Sequence, residues 1–257
     1  METWTAFPNP GEFRFEAASI GKHWPRLHAG DAEPLPEDPG VLQAWALCHN
    51  GRFQEAAEAG LKAGGGGITA ANKATAVYAT YLEKKEKNRL ELFMTVAQRA
   101  EAQAGEDAKN PNAWYWQAYA LGRYSQGISV AKALAQGLGA KVKEALEKTI
   151  KLQPRHADAH IALGAFHAEV IDKVGTLIGG MTYGTKKEVG LTLFQEGLKI
   201  HPASPIGMIE YANGILMLEG DRKMNEATRL YQQAAAAKPI DAIEWLDVEL
   251  ARAELDE

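Results

Sequence analysis

The sequence predicts an all-α protein, a right-handed superhelix of about five helix-turn-helix repeats with a proline-rich N-terminal arm and a C-terminal capping helix. From Val41 onward one helical segment follows another, separated by turn signals such as Asn50-Gly51 and Gly220-Asp221. No segment shows the alternating pattern of β-branched residues that marks a strand. Prolines also recur at matching points of successive helices, which indicates a repeat.

The composition supports a globular chain and excludes several classes of protein. The 257 residues are 46% hydrophobic and 24% charged, which is enough to form a core. The net charge of −5, without a basic run, argues against nucleic-acid binding. The single cysteine, Cys48, excludes a disulfide framework and a cysteine-ligated zinc site. No apolar run approaches the roughly 18 residues of a membrane span, and the start shows no signal-peptide pattern, so we expect a cytoplasmic protein.

The first forty residues form a distinct segment. Residues 1–40 hold six of the eleven prolines, and proline disfavours helix at itself and at the preceding residue. The segment also carries large aromatic residues, which a solvated tail would lack. These aromatics are Trp4, Phe7, Phe13, Phe15 and Trp24. We therefore expect an extended arm, 1–40, packed on one solenoid domain, 41–257.

Helical periodicity and turn residues define the helices of that domain. The predicted segments are about 41–49, 52–63, 69–84, 87–104, 112–126, 141–152, 157–172, 186–200, 205–218, 223–237 and 241–254. The last of these has an apolar face with acidic residues between its apolar positions, which suits a capping helix with one wet face.

Three of these helices end in the same way, at Pro154, Pro202 and Pro239. A slim residue lies twelve positions before each proline, a large apolar residue eight before and a small residue five before. In chain order these are Val142, Leu146 and Thr149; Gly190, Phe194 and Gly197; and Ala227, Tyr231 and Ala234. Because these offsets fall on one helical face, we expect neighbouring helices to approach at the small residues.

The preceding helices also match one another. Ala120-Leu121-Gly122-Arg123-Tyr124 follows Pro111, Ala162-Leu163-Gly164-Ala165-Phe166 follows Pro154, and Tyr211-Ala212-Asn213-Gly214 is a looser copy. Together with the closing prolines, this pattern resembles the tetratricopeptide repeat (TPR). The resemblance covers about residues 111–239 and extends more weakly over 41–104. It implies the superhelix and its concave binding surface. A non-repetitive helical bundle is the alternative.

Two repeats carry insertions of nine and fourteen residues relative to the 34 residues of the family. Successive closing prolines from Pro111 onward lie 43, 48 and 37 residues apart. The extra length falls at 126–139 and 170–184, between the two helices of a repeat. Both insertions are apolar and rich in glycine, and each contains a central lysine, Lys132 or Lys173.

A narrower resemblance rests on Trp114-Tyr115-Trp116 before Leu121-Gly122, on the insertions, and on Gly179-Gly180 ahead of Lys186-Lys187 and Phe194. It is to the T-component proteins of TRAP transporters and to the regulator-of-microtubule-dynamics proteins, which share an irregular helical-repeat design. T-components form oligomers with a channel through each protomer for a small apolar ligand. The resemblance therefore implies a ligand-binding repeat protein.

Aromatic and polar residues mark a candidate groove. Trp114 and Trp116 lie 200° apart on one helix, so one of them is expected to line a groove or to contact an insertion. Charged residues inside apolar stretches need partners, and Lys173 has one at i−4, Glu169. One hypothesis is that these groups line a polar-tipped pocket. The competing interpretation is ordinary placement on the surface of a helix. The candidate residues are Trp116, Tyr124, Lys132, His160, His167, Glu169, Lys173, Tyr183, Glu210 and Asn213.

Three histidines carry an alternative hypothesis, a metal-dependent enzyme. His156 and His160 are at i, i+4, and His167 lies two turns further, with Asp158 or Glu169 as a further ligand. Structural packing of the three rings is the competing interpretation. The zinc-peptidase motif His-Glu-x-x-His is absent.

The functional prediction is a non-catalytic binding or scaffold protein. Its concave surface and a pocket formed by the two insertions would bind a protein or peptide partner or a small apolar ligand. We expect no catalytic residue, no metal and no cofactor, because no triad order or nucleotide motif stands out. Nucleic acid and a membrane span are not expected, and self-association through the apolar insertions is an open alternative.

Overall fold

The computed structural model describes residues 3–256, and these are all-α, without a strand. Contacts group the chain into two compact units. Unit 1 holds the residues up to His28, then Glu33–Ala145 and Ile240–Ile243; unit 2 holds Ala29–Ala32, Leu146–Pro239 and the residues from Glu244. The predicted division into an arm, 1–40, and one solenoid domain, 41–257, stays a prediction.

Unit 1 is a succession of helices joined by short connections. Its helices are α1 (Trp24–Leu27), α2 (Pro39–His49), α3 (Phe53–Ala63), α4 (Gly67–Tyr81), α5 (Glu86–Glu106), α6 (Pro111–Gln126) and α7 (Val130–Ala135). From α2 to α6 each helix packs on the next, and α4 also packs on α2 and α6. Side-chain caps start three helices of unit 1, since Asp38 accepts from two amides of α2, Asn110 from two of α6 and Ser129 from one of α7. The helix α8 (Leu138–Leu152) begins in this unit and ends in unit 2.

The N-terminal segment lies on these helices. Trp4 stacks on Tyr78 at 4.2 Å between ring centroids, and Trp24 meets Trp45 edge-on at 5.9 Å. The segment is not extended throughout, because Ile20–Lys22 forms a 3-10 turn and Trp24–Leu27 a short helix. Pro25 fits there because the first turn of a helix does not use its backbone N–H groups.

Unit 2 contains α9 (Ala157–Tyr183), α10 (Lys187–Ile200), α11 (Pro205–Glu219), α12 (Met224–Ala235) and most of α13 (Ala242–Asp256). Helix α9 packs on α10 and α11, and α11 packs on α12. One core cluster centres on the fully buried Phe194 and includes the buried Ile161 and Ala168. Another holds Ile209, Ile215 and Tyr231 at the α11–α12 contact.

The burial predicted for the positions before the closing prolines is confirmed. All nine residues at the three offsets before the closing prolines are buried. A Cβ at Gly197 would lie 2.7 Å from Cδ1 of Ile161, and one at Gly190 would lie 3.0 Å from Cβ of His167. A side chain at either position would force its neighbour to shift, so the small residues let the helices come together as expected.

The insertions differ from the loops that their glycines suggest, because both are largely helical. The first contains α7, and the second extends α9 eleven residues beyond the predicted end near 172. Helix α9 has one sharp break, at Gly175, with φ 83° and ψ 159°. Glycine adopts a positive φ without steric cost, so the chain turns there and resumes as a second helical segment, residues 176–183.

Candidate functional site

The second insertion presents an apolar surface to solvent. Met181 is 82% exposed, Leu177 76% and Ile178 58%, the three highest values among the large hydrophobic residues that the structure describes. Leu177 and Ile178 lie four and three residues before Met181, which puts all three within an arc of about 100° on one side of segment 176–183. We call these three residues the insertion face.

The opposite side of the same segment is fixed to unit 2 by a glycine. Gly179 is buried, and a Cβ there would lie 2.6 Å from Oγ1 of Thr185 and 3.0 Å from Cγ1 of Val170. A side chain at this position would require the Thr185 and Val170 side chains or the segment itself to shift. The insertion face therefore points outward because its back is closely packed, and not because the segment is loose.

The first insertion also exposes apolar residues, within unit 1. Val130 is 43% and Leu134 46% exposed, at i, i+4 along α7. The helix is started by Ser129, whose hydroxyl accepts from the amide of Lys132 at 3.2 Å. The Lys132 side chain is exposed, which fits ordinary surface placement better than a pocket lining.

The three predicted histidines are held by backbone groups. Nδ1 of His156 accepts from the amide of Ala159 at 3.1 Å, and Nδ1 of His167 accepts from the amide of Lys186 at 2.9 Å. Nε2 of His160 lies 3.0 Å from the carbonyl oxygen of Pro154. Within residues 3–256, no group of three or more His, Cys, Asp and Glu side chains could hold a metal ion. The structure does not assemble the predicted ligand set.

Other predicted residues on α9 form local contacts. Lys173 and Glu169 make the predicted ion pair, with Nζ 3.5 Å from Oε2. Because both side chains are partly exposed, the pair contributes little to stability. Tyr183 is half-buried and meets Phe166 edge-on at 6.0 Å.

Glu210 and Asn213 on α11 belong to a polar group that the structure completes with Tyr231. The Tyr231 hydroxyl donates to Oδ1 of Asn213. Burial, with the negative charges of Glu254 and Glu210, raises the pKa of Tyr231 to about 12. The phenol therefore stays protonated and acts as a hydrogen-bond donor.

Trp116 and Tyr124, the predicted groove aromatics on α6, differ in burial. Trp116 is 4% exposed and packs against Tyr115 and Tyr119 at 5.0 and 5.3 Å between ring centroids. It is a core residue of unit 1. Tyr124 is half-buried near the end of the helix. Of the ten predicted residues, these two and Lys132 belong to unit 1 and the other seven to unit 2.

Sequence reasoning missed a buried chain of titratable side chains in unit 1. Nδ1 of His49 lies 2.6 Å from Oδ2 of Asp241, and its Nε2 lies 3.3 Å from Nε2 of His28. All three residues are at most 4% exposed. The Asp241 carboxylate accepts from Nδ1 of His49, and the two Nε2 atoms of His49 and His28 share one hydrogen bond. No spacing signals this group, because Asp241 is 192 residues from His49.

Comparison with known proteins does not place the chain in a family, since no family model and no curated protein matches it. Within residues 3–256, no helix is long and apolar enough to cross a bilayer. The functional argument therefore rests on the geometry of the chain itself.

Proposed function

We propose that this chain is a non-catalytic helical-repeat protein that binds a protein partner through the insertion face. The supporting observation is that Leu177, Ile178 and Met181 adjoin one another on one helical side and are more exposed than any other large hydrophobic residue described. Contiguous exposed apolar surface commonly marks an interaction site, whereas single exposed residues are ordinary.

Two features favour a binding face over an incidental one. The segment is anchored through Gly179, so the three side chains are presented on a fixed backbone, and preorganisation lowers the entropic cost of association. The face is also small. Three side chains suit the central contact of an interface whose rim is polar.

The architecture that we propose around this face is a TPR-like superhelix in the manner of the T-component and microtubule-regulator proteins. Consecutive helix pairs and buried small residues support it. In this proposal the insertions serve as protruding contact elements, and the exposed Val130 and Leu134 of α7 form a second one. If the partner is a second copy of this chain, the insertion face mediates self-association.

The test compares two triple variants of the full chain in cells of the source organism. Leu177→Ser, Ile178→Ser and Met181→Ser together remove the insertion face. Leu35→Ser, Leu61→Ser and Leu255→Ser remove exposed leucines that lie apart from it in sequence. We expect wild type and the control triple to migrate in gently prepared extract as a complex larger than the 27.9 kDa chain, and the insertion variant to migrate as the free chain. Equal migration of all three proteins would contradict the proposal.

A further inference from the structure

The contact between α4 and α5 in unit 1 contains polar side chains that an ordinary helix contact would lack. Thr69, Asn72 and Thr75 are each at most 2% exposed on α4. At 100° per residue, Thr69 and Thr75 lie 60° to either side of Asn72. Opposite them on α5 are Arg99 and Gln103, one turn apart. We call these five residues the polar seam.

Two hydrogen bonds fix the register of the seam. Nη2 of Arg99 donates to Oγ1 of Thr75 at 2.9 Å, and Nε2 of Gln103 donates to Oγ1 of Thr69 at 3.0 Å. Asn72 lies three residues from each threonine, about 4.5 Å along the helix axis from either one. Along the axis of α4, the Asn72 backbone is therefore level with the space between the Arg99 and Gln103 contacts.

Four polar atoms in this seam have no hydrogen-bond partner among the residues that the structure describes. They are Nδ2 and Oδ1 of Asn72, Nε of Arg99 and Oε1 of Gln103. Asn72 is fully buried. Leaving a buried donor or acceptor unpaired costs about 1–3 kcal/mol each, and native proteins rarely retain several together.

The charge in the seam is also unbalanced. Among the described residues no carboxylate pairs with Arg99, and burial lowers the pKa of its guanidinium from the ordinary 12.5. An unpaired buried charge is costly, and guanidinium groups bind carboxylates through directed hydrogen bonds. The group that completes the seam should therefore be anionic where it meets Arg99.

At the Gln103 end of the seam, the ligand must supply a hydrogen-bond donor instead of an anionic acceptor. Nε2 of Gln103 also donates to the carbonyl oxygen of Gly65 at 3.3 Å, which fixes the orientation of the amide. Oε1 of Gln103 is consequently an acceptor that needs a donor. Asn72, between the two ends, offers one donor group and one acceptor.

We propose that the polar seam binds a small carboxylate that also carries a hydroxyl or amino group. The carboxylate would accept from Nε of Arg99 and Nδ2 of Asn72. The hydroxyl or amino group would donate to Oδ1 of Asn72 or Oε1 of Gln103. Arg99 is only half-buried, so ligand enters at its end of the seam. This site is independent of the insertion face and of the proposed function.

The test measures thermal unfolding of the full chain with sodium glycolate, glycine, sodium acetate or sodium chloride, with ionic strength matched across the series. We expect glycolate or glycine to raise the Tm saturably by a few degrees, acetate to raise it less, and chloride to leave it unchanged. Because this comparison uses the wild type alone, it holds even where a variant fails to fold. Equal responses to all four compounds would overturn the proposal.

Variants identify the site. Asn72→Leu replaces the unpaired amide by an apolar group of similar size, so we expect it to fold with an unchanged or higher Tm and to lose the response. Arg99→Gln should also lose the response, and Arg89→Gln on the same helix should keep it. If Asn72→Leu lowers the Tm and the wild type does not respond, buried water satisfies the seam and the proposal is wrong.

Discussion

At the scale of single residues, burial decides which polar groups matter in this chain. Asp241, His49 and His28 form a buried chain that links three separate segments of unit 1. Lys132, by contrast, stands inside an apolar stretch of sequence but lies in solvent. Sequence reasoning could not separate the two cases, because burial of a polar side chain depends on contacts distant in sequence.

Tyr231 provides a pH test at this scale. Its pKa is raised from 10.0 to about 12 in the folded state, so the protonated phenol stabilises unit 2 fully below about pH 10. That contribution is lost as the pH rises from about 10 towards 12, because the phenolate would face Glu254 and Glu210 and could not donate to Asn213. We expect the urea concentration at the midpoint of wild-type unfolding to be lower at pH 11 than at pH 8.

At pH 8 the free energy of unfolding of Tyr231→Phe should be about 1 kcal/mol lower than that of the wild type, because one hydrogen bond is lost. Between pH 8 and pH 11 it should decrease less than that of the wild type. Urea unfolding followed by circular dichroism at both pH values measures the difference. Tyr124→Phe, in unit 1, is the matched control, and its free energy of unfolding should decrease between pH 8 and pH 11 as much as that of the wild type. An equally steep alkaline fall in Tyr231→Phe would show that the phenol does not contribute.

At the scale of helices, small residues set how closely the elements of unit 2 pack. Gly164 on α9 and Gly214 on α11 both face the ring of Phe194. The offsets before the closing prolines predicted the small positions on α10 and α12. The helices at the insertions were not predictable in the same way, because the pattern of Gly175, Gly179 and Gly180 predicts an interruption of the helix. Only Gly175 breaks the helix, and Gly179 allows the close packing of its final segment.

Gly214→Ala tests this packing. Its Cβ would lie 2.4 Å from Cε2 of Phe194, whose ring is fully buried and has little room to move. We expect a loss of about 1–3 kcal/mol in the free energy of unfolding, which is typical of overpacking. Gly122→Ala is the control, because nothing lies within 4 Å of its Cβ position. It should be neutral or stabilising by up to about 1 kcal/mol. Equal effects of the two substitutions, measured by urea unfolding, would contradict this packing.

At the scale of the whole molecule, the sequence was sufficient for the all-α class and for most helix positions. Periodicity, caps and closing prolines are local signals, and the helices from α2 to α6 follow them closely. The grouping into two units had no local signal, because each unit contains segments from distant parts of the chain. The candidate site was only partly predictable. The insertions stood out in the sequence, but the side chains that they expose did not.

The central claim is that the insertion face contacts a protein partner, and site-specific photocrosslinking tests it most directly. A photoreactive amino acid replaces Met181 in the full chain, expressed in cells of the source organism, and replaces Leu61 on α3 as a matched exposed control. We predict a discrete crosslinked species at position 181 that is absent at position 61 and disappears with Leu177→Ser and Ile178→Ser. A product at twice the mass of the chain would identify the partner as a second copy. No product at position 181, or the same product at both positions, would contradict the claim.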